Sequence, residues 1–238
     1  QNHIIEKGTR KMAKLSQSQL VRQAEIFVTN GAKSEAQAVI AAVGYGPTAL
    51  SDGQALVDAV KVGQAQTKEQ LAAQKSATQA EKKARLAAHK EIASLTDTAR
   101  LLFADDGPAL TLLGLQTQYV TVTDPATGET EQQAARASES AAETIRRWRQ
   151  LAANAPQLGT EQAAALTAAG WGAARVTAVA ALVEAYAAAD TAQQSAIQLY
   201  QKTSGEYTAD TEALRAWYNR ARQLCGRAIQ DVDPGNQQ

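Results

Sequence analysis

Between Gly63 and Gly107 the chain carries neither glycine nor proline, and Ala, Gln, Lys, Glu and Leu dominate the gap. These residues lose little side-chain freedom in a helix, so the segment reads as helix. Extended back to Asp52, one uninterrupted helix would hold about 50 residues and reach about 75 Å. A helix of that length is unusual in a globular chain. Thr78-Gln79-Ala80-Glu81 has the form of a capping box, with Thr able to accept from a free backbone N–H and Glu reaching back. The expectation is therefore a turn near Ser76 to Thr78 between two antiparallel helices. One would end near Lys75 and the other would run from Gln79 to Ala104. Ile92, Leu95, Ala99 and Leu102 form the apolar seam of the second, with Ala73, Ala77, Ala80, Ala84 and Ala88 as smaller knobs that let helix axes approach closely.

The rest of the chain is read the same way. Ser16 and Ser18 can cap a first helix carrying Leu20, Ala24, Phe27 and Val28 at the 3.6-residue period, stopping near Asn30-Gly31. A short helix follows from Ser34 to Val43 and meets Gly44-Tyr45-Gly46-Pro47. Asp105-Asp106-Gly107-Pro108 stops the seam helix. Tyr119-Val120-Thr121-Val122-Thr123 alternates and is β-branched, and Asp124-Pro125-Ala126-Thr127-Gly128 is turn chemistry, so this stretch reads as a small hairpin or an extended linker. Helices then resume from about Ala134 to Asn154, Thr160 to Ala169, Ala174 to Lys202 and Ala209 to Gln230, with a break at Ser204-Gly205.

A shift of 126 residues superimposes the two halves. Gly44-Tyr45-Gly46 falls on Gly170-Trp171-Gly172, Leu56-Val57-Asp58-Ala59 on Leu182-Val183-Glu184-Ala185, Phe103 on Ile229, Asp105 on Asp231 and Pro108 on Pro234. The expected fold is all-α: two tandem antiparallel helical bundles from an internal duplication, over 12–116 and 132–238, joined by a β-prone connector at 117–131. The run Leu102 to Leu115, Leu-Phe-Ala-Asp-Asp-Gly-Pro-Ala-Leu-Thr-Leu-Leu-Gly-Leu, after a Gly-aromatic-Gly turn and a long Ala-rich helix, is similar to bacterial uncharacterised Ala-rich helical-bundle proteins. The resemblance covers residues 45–115 and, more loosely, 171–234, where no Leu-Gly-Leu follows Pro234. It implies a helical fold and no activity.

Composition narrows the function. With 24 Lys and Arg against 24 Asp and Glu over 238 residues, the chain has no cationic surplus for nucleic acid or an anionic membrane. No apolar run approaches a membrane span. Of its residues 52 are Ala and 26 are Gln, so the expected core is long and thin. One cysteine and two histidines leave no disulfide framework and few soft metal ligands. His89 has no ligand-type residue three or four positions away and reads as a solvated helix histidine. Cys225 reads as a small core or boundary residue, and Asp105-Asp106 and Asp231/Asp233 as helix stops. Phosphate-loop, dinucleotide and nucleophile-elbow motifs are missing, so no catalytic residue, cofactor or metal is expected. At the N-terminus, Met12 reads as a start codon behind Glu6-Lys7-Gly8, whose codons can form a ribosome-binding tract. Residues 1–11 are then a translated leader, which favours the cytoplasm; the alternative is an ordinary basic tail.

Two basic-aromatic clusters remain, Arg146-Arg147-Trp148-Arg149 and Arg215-Ala216-Trp217-Tyr218-Asn219-Arg220. Both tryptophans are in phase with apolar neighbours, so they read as core anchors flanked by exposed Arg. Basic residues are mostly Lys in the first half and almost all Arg in the second, which points to a protein contact there. The expected interface residues are Arg146, Arg147, Arg149, Arg215 and Arg220, with Tyr119, Val120 and Val122 of the connector able to pair by strand addition. The expected function is a non-enzymatic scaffold that assembles with itself, or else an adaptor for another protein.

Overall fold

A computed structural model describes residues 15–116, 119–123, 130–134 and 140–232; side chains are described except at 119–123, 131–134 and 229–232. The fold is all-α. In chain order it contains α1 (Gln17–Gly31), α2 (Ser34–Ala42), α3 (Pro47–Leu102), α4 (Gly107–Leu112), strands β1 (Tyr119–Thr123) and β2 (Thr130–Ala134), α5 (Ala141–Asn154), a 3-10 turn (Ala155–Gln157), α6 (Thr160–Ala168) and α7 (Ala173–Val232). The strands pair antiparallel, from Tyr119 opposite Ala134 to Thr123 opposite Thr130. The expectations placed on residues 1–14, on Asp124 to Gly128 and on Asp233 and Pro234 lie outside the described residues, as do the side chains of Ile229 and Asp231.

Two expected turns are absent. α3 is one helix of 56 residues and α7 one of 60. At the supposed capping box, the Thr78 hydroxyl donates to the Gln74 carbonyl at 2.9 Å, the bond of a threonine inside a helix rather than at its start. At the other site Gly205 sits within α7, where an interior glycine costs only about 1 kcal/mol against alanine. Neither Gln64 to Ala87 of α3 nor Ala187 to Lys202 of α7 includes a buried residue.

The chain divides into two compact units whose boundaries fall inside these long helices. One holds the described residues up to Leu71 and those from Leu199 onward; the other holds Ala72–Gln198. The expected division lay at the connector, 12–116 against 132–238; the compact units divide inside α3 and α7. A helix of nearly 60 residues outruns any single bundle, so its two ends serve different cores.

In the first unit α1, α2 and the start of α3 pack on the end of α7. Leu20, Ala24, Val57, Val60, Leu214 and Tyr218 form one cluster; Ile40, Tyr45, Leu50, Ala221 and Cys225 form another. α3 and α7 run antiparallel there, with Gly53 facing the Trp217 ring and Gly63 facing Tyr207. In the second unit the end of α3, with α4, α5 and α6, packs on the start of α7 around Leu95, Trp148, Leu166, Trp171, Val183 and Tyr186. The antiparallel pairing recurs: Gln193 Nε2 donates to Thr78 Oγ1 at 3.3 Å, and Trp171 Nε1 to Thr98 Oγ1 at 3.1 Å. Of the expected α3 seam, Ile92, Leu95 and Ala99 are buried, but Leu102 is 40% exposed and Phe103 takes its place.

The elements of the two units correspond. α2 and α6 begin at Ser34 and Thr160, and α3 and α7 at Pro47 and Ala173, both 126 residues apart. Gly44 and Gly170 hold φ of 87° and 85°, the left-handed turn that glycine adopts without steric cost. Behind them the Tyr45 N–H donates to the Ile40 carbonyl at 2.9 Å and the Trp171 N–H to that of Leu166 at 2.8 Å. Val57 and Val183, Val60 and Tyr186, Ala88 and Leu214, and Ala99 and Cys225 are buried at equivalent positions. The helix N-caps Ser16 and Ser140 are only 124 apart. The 3-10 turn after α5 accommodates the two extra residues, so no single shift aligns all of these elements.

Candidate interaction surfaces

In α5 the Ser140 hydroxyl accepts from the Glu143 N–H at 3.2 Å, which sets the helix start and so the phase of every later side chain in it. Ile145, Trp148, Leu151 and Ala152 face inward; Trp148 lies 5.6 Å from the Tyr186 ring and 5.9 Å from that of His89. The arginines around it face outward, and Arg146 and Arg149 each meet a carboxylate. Arg146 binds Glu143. Arg149 clamps Glu184 with both nitrogens, Nε to Oε1 at 2.7 Å and Nη2 to Oε2 at 2.6 Å. Hydrogen bonds from these guanidiniums hold both Glu143 and Glu184 below the usual carboxylate range. These are exposed pairs, which fix geometry more than stability.

The second cluster lies in the other unit. Trp217 and Tyr218 join Phe27 and Tyr45 in edge-to-face contacts, with Phe27 at 5.8 Å from Trp217, 6.1 Å from Tyr45 and 6.5 Å from Tyr218. The Tyr45 hydroxyl donates to the Trp217 carbonyl at 3.5 Å, and burial raises its pKa. Arg215 is half-buried and Arg220 exposed. Arg146, Arg147 and Arg149 thus belong to one unit and Arg215 and Arg220 to the other. Tyr119, Val120 and Val122 lie on β1, and their side chains are not described.

Other singled-out residues have structural work. Asp106 caps α4, accepting from the Ala109 N–H at 3.0 Å and from Gln162 Nε2 at 2.9 Å; these bonds, Gln162 first, lower its pKa. Cys225 is 1% exposed, and burial raises its thiol pKa. His89 is exposed. Among the described residues no three His, Cys, Asp or Glu converge on a point that could hold a metal ion. No single helix there is long and apolar enough to cross a membrane; α6 and α7 reach that composition only when joined across an 83° bend.

Sequence reasoning missed three features. The Arg175 guanidinium lies 3.7 Å from the centre of the Trp171 ring and pairs with Glu91 at 3.0 Å. The i, i+4 spacing of Trp171 and Arg175 was its only visible signal. A cleft of about 730 Å³ opens between α3, α4 and α5, with Arg100, Arg146, Arg147, Asp97 and Glu143 on its walls and Trp148 and Leu151 deeper in. Finally, three leucines near the α3–α4 corner face solvent: Leu101 at 82%, Leu102 at 40% and Leu112 at 36% exposure. An α-helical stretch of consecutive leucines cannot point them all inward, but which ones lose is decided by the neighbours. No family model, curated protein or solved structure matches the chain.

Proposed function

We propose that the chain is a non-enzymatic structural protein, built by internal duplication, that packs with copies of itself into a larger assembly. The observation that carries this reading is the exposed leucine corner. Three large apolar side chains within twelve residues, one of them almost wholly in water, favour association, because covering them removes apolar surface from solvent at about 25 cal/mol per Å². The correspondence between the units supports duplication, and a repeated unit suits repeated packing. The connector ladder adds a second adhesive element, since a two-stranded sheet leaves an outer edge on each strand.

Light scattering with negative-stain imaging tests the reading across concentrations. The expected result is concentration-dependent particles or filaments, with Leu101→Glu/Leu102→Glu shifting assembly to at least about tenfold higher concentration, equivalent to about 1.4 kcal/mol. Helicity should stay unchanged. A monomer near 25.1 kDa at every concentration overturns it.

A second reading, an adaptor for another protein, is favoured by the arginine-walled cleft. It calls for a partner with carboxylates to meet Arg100, Arg146 and Arg147. An acidic peptide that binds there and is lost on Arg100→Ala/Arg146→Ala would support it, while the chain stays monomeric until the partner is added.

A further inference from the structure

The two compact units and the two sequence repeats are different divisions of the same chain. Each unit contains the capping helix, the short helix and the first part of the long helix from one repeat. It is completed by the second part of the long helix from the other repeat. Neither repeat finishes a core by itself. In the first unit Leu20, Val57 and Val60 are closed by Leu214 and Tyr218; in the second Ile92 and Leu95 are closed by Val179 and Val183.

From this exchange we infer that a second copy of the chain is a fitting partner: repeat 1 of one copy pairs with repeat 2 of another, and the reverse, in a reciprocal dimer. Every one of these core contacts is kept in such a dimer, since each is made between groups that an equivalent copy supplies as well. What differs is only which copy supplies each repeat. Exchange of equivalent elements is a low-cost route to association for that reason. Within one chain the repeats are tethered, which holds them at an effective concentration on the order of millimolar. Dilute chains therefore close on themselves, and chains folded together at high concentration pair with each other. The inference rests on the self-assembly reading and names its first contact.

The test places one cysteine on each side of the α3–α7 pairing, in a Cys225→Ala background. Thr78→Cys and Gln193→Cys are put on separate chains, which are unfolded, mixed, refolded and oxidised. A bridge between positions 78 and 193 can then form only between chains. The expected result is a disulfide-linked dimer whose 78–193 peptide is found by mass spectrometry. Its ratio to monomer should rise about tenfold for each tenfold rise in refolding concentration towards the millimolar range. The same two cysteines on one chain should bridge internally at low concentration. Absence of the interchain bridge at every concentration, while the double variant closes its own, overturns exchange. Failure of the double variant to bridge removes the pairing on which exchange depends and overturns it too. Large particles of the unsubstituted chain without any 78–193 interchain link leave the structural reading standing and reject exchange. Linked dimers that never grow support exchange and reject the larger assembly.

Discussion

Gly53 is the position where a single atom decides most. It lies in the interior of α3, where glycine to alanine ordinarily stabilises a helix by about 1 kcal/mol. Here the Trp217 ring occupies the space a Cβ would take. Gly53→Ala should therefore reverse the usual sign and destabilise the first unit by about 1–3 kcal/mol, the cost of overpacking, as read by urea unfolding. Asp106 makes the opposite kind of case, a charge held by geometry. Its folded pKa lies below its unfolded value, so its contribution is complete above the unfolded pKa, about 3.9, and disappears as pH falls through the lower folded one. The melting temperature of the wild type should exceed that of Asp106→Asn at neutral pH, and the difference should close below about pH 4. Differential scanning calorimetry across pH checks it; a difference that persists at pH 2 would mean the bond counts and the charge does not.

At the scale of elements the decisive feature is the continuity of α3 and α7. If α7 turned at Ser204-Gly205, the glycine would be needed for the turn. Because Gly205 lies in ordinary helix with open space where a Cβ would go, Gly205→Ala should stabilise the protein by about 0.5–1 kcal/mol. Thr78→Pro should cost about 3 kcal/mol or more and lower helicity, since it removes a backbone bond and clashes with the preceding turn. Thermal unfolding by circular dichroism reads both. A neutral Thr78→Pro would restore the turn that the capping-box pattern suggested. That pattern misled because Thr and Glu at this spacing serve equally well inside a helix, where the hydroxyl bonds the carbonyl four residues back. With no buried side chain from Gln64 to Ala87, the apolar pattern there was silent on the choice.

For the whole molecule, each unit draws on both halves of the chain, which makes the halves interdependent. A fragment ending at Gln116 retains all of α1 to α4 yet lacks α5 to α7, so both cores are left open. As a monomer at micromolar concentration it should hold well under half the per-residue ellipticity of the full chain, and mixing with the fragment from Thr117 onward should recover the rest. A fragment that folds alone as a stable monomer would mean that the halves of the chain, rather than the two units, are the folding bodies.

Much was legible in advance because it is local. The Gly-aromatic-Gly turns, the burial of Trp148 and the stop at Asp106 all follow from side-chain phase, left-handed glycine and capping chemistry, which neighbouring residues settle among themselves. The candidate surfaces were half legible: Arg146, Arg147, Arg149 and Arg220 are exposed as their phase requires, and the Arg146–Glu143 pair is local, but the Glu184 partner of Arg149, the cleft beside it and the exposed Leu101 depend on residues far along the chain. Sequence by itself determined that this protein is helical, where α1, α2 and α6 begin and end, and which faces of them turn inward, while α5 begins at Ala141 and not near Ala134 as its composition suggested. Tertiary structure alone decided that the two long helices run unbroken and that each gives one end to each of the two units. The physical reason is that helix formation is set by contacts four residues apart, whereas the choice between folding back and running on is set by whichever distant surface buries the apolar stripe at each end.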